Sequence, residues 1–196
     1  MRILHYTLGF PPYRSGGLVK YAESLMNAQC KQGHVVAALY PGGTSILCKK
    51  CHVKAEGMVK PFDVYTMLNP MPVPLFYGVK DVGDMIRETN LDRKSFERLL
   101  KNMRPEVFHI HTFMGLPKSY LQMAHEANVR IVYTTHDYFG LCPKVNFMDA
   151  KGMVCHSAQA GKCAVCNKDA KHTWVLRVRN FKCLIPVKRY LRRFKL

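Results

Sequence analysis

Short apolar runs alternate with breaker-rich stretches along most of this chain. Arg2–Thr7 is an apolar run suited to a buried strand, and Gly9–Gly17 is a loop holding Gly9, Pro11, Pro12, Ser15, Gly16 and Gly17. From Leu18 the period changes: Leu18, Tyr21, Ala22, Leu25 and Met26 recur at helical spacing, which predicts a helix over 18–31. Gly33-His34 ends it, and Val35–Tyr40 reads as a second strand. Pro41–Gly57 is expected to be a loop or insertion, and Phe62–Leu68 a third strand. Asn69–Gly78 carries Pro70, Pro72 and Pro74, each without an N–H donor, so no regular element is expected there. Leu91–Met103 is an amphipathic helix with Phe96, Leu99, Leu100 and Met103 on one face, stopped by Pro105. Strand Val107–His111, helix Leu116–Ala127 and strand Arg130–Thr135 follow. Residues 173–196 read as basic and helical, interrupted by Pro186, with Val187, Tyr190, Leu191 and Phe194 on one face.

Strands alternating with helices predict an α/β fold, a doubly wound parallel sheet covered on both faces. In such sheets ligands sit at the carboxyl ends of the strands. Gly16–Gly17, His111 and His136–Asp137 all follow strands at that end. The glycine pair also opens a helix, whose unpaired N–H groups and partial positive charge suit phosphate. The loop is neither a Walker A motif nor G-x-G-x-x-G.

The opening strand, the Pro-rich loop, the Gly-Gly helix and the Gly-His strand form an ordered set with PEVFHIH (105–111) and TTHDYFGLCP (134–143). The set resembles the N-terminal domain of GT-B glycosyltransferases, in particular family 4. The resemblance covers nearly the whole chain. It implies a Rossmann-like domain with strand order 3-2-1-4-5. It also implies retaining transfer of a sugar from a nucleoside diphosphate donor, with no catalytic metal. The acceptor would be a glycan or a lipid-linked glycan of surface polysaccharide synthesis. On this resemblance Gly16 and Gly17 approach the donor diphosphate, and His111 lies in the cleft near the transferred sugar. His111 is chosen over His109 because it is nearer the strand end. His136 and Asp137 can bind sugar hydroxyls or move a proton. One departure is plain. The family's second domain holds most donor contacts, including a Glu-x7-Glu pair, and no two glutamates here have that spacing. A chain truncated before the donor domain, or one working with a separate donor-domain chain and inactive alone, is therefore expected.

Charge changes the picture at one end. The 196 residues carry a net +17. Residues 1–140 hold 17 Lys/Arg and 11 Asp/Glu, and residues 141–196 hold 13 and 2. We divide the chain at 1–140, 141–172 and 173–196: a Rossmann-like acceptor-side domain, a Cys-rich loop and a basic amphipathic tail. The basic end suits an anionic membrane face. The alternatives are a non-catalytic partner subunit and a basic, zinc-stabilised module that binds nucleic acid. Against nucleic acid, no recognised binding motif with stacking aromatics is present. No stretch reaches the about 20 apolar residues of a membrane span, and the N-terminus lacks a signal-peptide pattern, so a cytoplasmic protein, peripheral on the inner membrane face, is expected.

Eight cysteines in a reducing compartment suggest thiols or metal ligands. Cys142, Cys155, Cys163 and Cys166 are spaced C-x12-C-x7-C-x2-C. The C-x2-C half suits two tetrahedral zinc ligands, and Cys142 and Cys155 would complete a closed structural site, with His156 as a substitute. Free thiols or disulfides are the other reading. Cys48-Lys49-Lys50-Cys51-His52 matches the haem-attachment string, but that chemistry needs an exported chain.

Overall fold

The structure is a computed structural model that describes residues 1–45, 50–80, 83, 87, 88, 90–157 and 159–181. Six strands form one sheet: β1 (Arg2–Tyr6), β2 (Val35–Pro41), β3 (His52–Gly57), β4 (Asp63–Leu68), β5 (Val107–Ile110) and β6 (Arg130–Tyr133). Their order is β3-β4-β2-β1-β5-β6, and every pairing is parallel except β3 with β4. Without β3 this is the 3-2-1-4-5 order expected of the parallel strands. Strand β3 is a correction, since it lies inside the stretch 41–57 expected to be a loop. Its sequence signal is weak because HVKAEG carries only Val53 and Ala55 as apolar residues and is mostly exposed at the sheet edge.

Alternation along the strands divides their side chains between two helical layers. Leu4, Tyr6, Leu39, Phe108 and Ile110 pack on one face with Phe96, Leu99, Leu100 and Met103 of α2 (Arg93–Met103) and Tyr120 of α3 (Lys118–Glu126). Val36, Ala38 and Val64 pack on the other with Ala22 and Met26 of α1 (Gly17–Lys31). Helix α2 starts where the sequence signals it, with the Asp92 side chain accepting the Ser95 N–H at 3.3 Å. The proline-rich stretch 69–78 holds only a one-turn 3-10 helix, Leu75–Tyr77.

Beyond β6 the chain returns across the sheet rim. Helix α4 (Ala160–Cys166) and helix α5 (Thr173–Arg179) are each seven residues long. Helix α5 ends at Asn180, so of the helical stretch expected over 173–196 the described part is shorter, and residues 182–196 lie outside the described residues. Asn167 Nδ2 donates to Val79 O at 2.6 Å, and Thr44 Oγ1 donates to Arg177 O at 2.7 Å. These bonds tie the returning segment to the loops that follow β2 and β4.

Candidate functional site

Parallel pairing places the ends of β1, β5 and β6 on one rim, and with them the three segments singled out in the sequence. The His111 N–H bonds to Tyr6 O at 2.9 Å, which fixes the start of the loop after β5 against β1. The register pairs His5 with His109, and His111 lies two residues on, so all three imidazoles share the α1 side of the sheet.

They are linked in a row. His5 Nε2 lies 2.7 Å from Gln29 Oε1 on α1, and the amide oxygen can only accept, so His5 donates there and keeps Nδ1 as an acceptor. That Nδ1 is 3.0 Å from His111 Nε2, and His111 Nδ1 is 3.3 Å from His136 Nε2. Thus His136 donates to His111, and His111 to His5. His109 stands beside the row, its Nε2 2.8 Å from Thr134 Oγ1 and its ring centroid 4.3 Å from that of His111. Tyr21, in the second turn of α1, closes the rim: its ring centroid is 4.9 Å from His136 and 5.9 Å from His111. This contact joins the glycine-turn helix to the histidines.

His5 and His111 are fully buried. Burial disfavours the imidazolium, so His5 is held down at about 4, with the Gln29 bond opposing and His109 adding to the effect. His111 is held down at about 3, by burial first and then by His109, His5 and His136. His109 and His136 are lowered as well, again chiefly by burial, Asp137 opposing the shift at His136. The row is therefore neutral at pH 7 and offers N–H donors and lone pairs rather than charge. Both nitrogens of His111 are engaged, so a ligand that reaches its Nδ1 from the rim has to displace the half-exposed His136.

Asp137 closes its own turn, accepting the Phe139 N–H at 2.9 Å. At the other motif, Gly16 and Gly17 are exposed, and a Cβ on either would meet nothing within 4 Å. Gly16 has φ +130, a conformation that suits glycine. The backbone at the start of α1 is thus open to a ligand. Along the rim, Thr44, Asn69, Met71, Arg87 and Arg177 help to line a cavity of about 270 Å³ at the ends of β2 and β4.

Cys142, Cys155, Cys163 and Cys166 are half-exposed free thiols, the last two on α4. The structure does not gather them. Among the described residues the group of three or more side chains placed to hold a metal ion is His5, His109 and His111. Cys48, half of the haem-like string, lies outside the described residues, and Cys51 is buried, its thiol pushed up to about 12 chiefly by that burial. Sequence reasoning missed His5, Gln29, Tyr21 and Thr134. The available signal was a histidine inside an otherwise apolar strand, since a buried polar side chain needs partners.

A parallel sheet wound on both faces, with a glycine turn opening α1 and histidines at the same rim, defines a Rossmann-like domain of the GT-B type. The model of Glycosyltransferase Family 4 matches residues 15–193, and the chain belongs to that family. No curated protein and no solved structure matches it. Among the described residues no helix is long and apolar enough to cross a membrane.

Proposed function

We propose that this domain serves retaining transfer of a sugar from a nucleotide-sugar donor to a glycan or lipid-linked acceptor in surface polysaccharide synthesis. The observation that carries the reading is the Tyr21 contact, which sets the open glycine start of α1 beside the histidine row. The donor diphosphate meets the Gly16–Gly17 backbone and the free N–H groups of α1, where negative charge is favoured. These donors stabilise the charge that develops on the leaving diphosphate. His111, uncovered by His136, hydrogen-bonds the sugar as a neutral imidazole. The acceptor occupies the cavity at the ends of β2 and β4, where Arg87 and Arg177 suit a phosphate-bearing carrier.

Amide shift mapping tests the reading. Titrating the ¹⁵N-labelled chain with UDP, GDP and their sugars should move the Gly16, Gly17 and Leu18 amides together with the His111 and His136 rings. Shifts elsewhere, or none at millimolar ligand, would remove the diphosphate from this rim.

A further inference from the structure

The row of histidines has a property that sugar transfer does not use. One ring nitrogen from each of His5, His109 and His111 lies within 4.8 Å of the other two. In a tetrahedral site with metal–nitrogen bonds of about 2.0 Å, ligand nitrogens stand about 3.3 Å apart. His5 Nδ1 and His111 Nε2, at 3.0 Å, are already near that spacing. The half-buried His109 has to close by at most about 1.5 Å to join them.

The outer nitrogens are as telling as the inner ones. A metal-bound imidazole almost always has its other ring nitrogen held by a carbonyl, carboxylate or water, which fixes its orientation. His5 is held by Gln29 Oε1, His109 by Thr134 Oγ1 and His111 by His136 Nε2. Each prospective ligand thus has a separate anchor, and the anchors come from α1 and from the segment after β6. Three nitrogens, from β1, β5 and the residue that follows β5, leave a fourth tetrahedral position for water or a small anion. An all-imidazole set selects zinc and its neighbours in the first transition row over magnesium or calcium.

We propose that His5, His109 and His111 form a binding site for one divalent first-row transition-metal ion, zinc being the probe of choice. The proposal does not rest on the transfer reaction. Hydrogens balance without loss of a proton: His109 carries its hydrogen on Nε2, donated to Thr134 Oγ1, and offers the lone pair of Nδ1. His5 Nδ1 already carries a lone pair, because its hydrogen is on Nε2. The hydrogen on His111 Nε2 must leave for the ion to bind. It reappears on His111 Nδ1, which then donates to His136 Nε2, and His136 carries its own hydrogen on Nδ1. The ion replaces the His5–His111 hydrogen bond and keeps the other contacts.

Side-chain ¹⁵N spectra of histidine-labelled full-length chain, titrated with zinc chloride, test this directly and are blind to zinc on cysteine. One equivalent should move the ring nitrogens of His5, His109 and His111 together and leave those of His34 and His125 in place. Gln29→Ala, which removes only the anchor of His5, should weaken zinc binding at these rings about 10- to 100-fold. His109→Gln, a change at a half-buried position, should abolish the shifts at His5 and His111. Unmoved rings at tenfold excess of zinc would overturn the proposal. So would unchanged affinity in a folded His109→Gln or Gln29→Ala variant.

Discussion

Acidification should destabilise this domain through the buried histidines well before its carboxylates protonate. In the unfolded chain His5 and His111 titrate near 6.5, whereas in the fold they stay neutral down to about 4 and about 3. Between those limits the unfolded state binds more protons, so stability is full above the unfolded value and falls as pH falls. From pH 7 to pH 5 each group removes about 1.9 kcal/mol, and the two together about 3.7 kcal/mol, on the order of 10 °C in Tm. The slope approaches about 2.7 kcal/mol per pH unit at the acid end of that window, two protons' worth. Urea unfolding followed by far-ultraviolet circular dichroism, with a chelator present, measures it. High salt separates it from general charge repulsion, because salt screens the surface and leaves a buried pair largely untouched. A change below about 1 kcal/mol over the same range would mean that the histidines are solvated and the row is not buried.

Other outcomes follow from packing and charge. Phe96 is fully buried and stacks on Tyr120 at 4.1 Å between centroids. Phe96→Ala should therefore cost about 3–5 kcal/mol in urea unfolding. Gly115 has φ +82, and a Cβ there would come within 2.9 Å of Pro41 and Val73. Gly115→Ala should destabilise by roughly 2–4 kcal/mol, seen as a lower Tm, through both the strained backbone and overpacking. Residues 141–196 hold 13 Lys/Arg against 2 Asp/Glu, so the chain should cosediment with vesicles rich in anionic lipid and release at high salt. Binding indifferent to both would refute the membrane role.

The parallel sheet was legible because its strands are short apolar runs, most of them set off by glycine or proline, and the intervening helices show a 3.6-residue period. Strand β3 was not, since HVKAEG owes its conformation to pairing with β4 and to the Ser95 hydroxyl, which accepts the Val53 N–H at 2.9 Å. The rim was legible at Gly16–Gly17, His111 and His136, because position after a strand fixes which end a residue occupies. His5 and Gln29 were invisible as partners. They are 24 residues apart, and only the packing of α1 on β1 brings them to 2.7 Å. Cysteine spacing showed the opposite limit: C-x2-C places Cys163 and Cys166 one turn apart on α4 but says nothing of the distance to Cys142 or Cys155.

A thermal-shift titration of the purified chain with UDP, GDP and their sugars, in parallel with Gly17→Val, tests the glycine rim most directly. A ligand bound to the native state raises its apparent stability by RT ln(1 + [L]/Kd), about 2.7 kcal/mol at a hundredfold excess over Kd. A Cβ at position 17 meets nothing within 4 Å, so the unliganded variant should melt close to the parent. The predicted result is a ligand-dependent rise in the parent that Gly17→Val loses. A rise of equal size in both proteins would place the diphosphate away from the glycine turn and contradict the account.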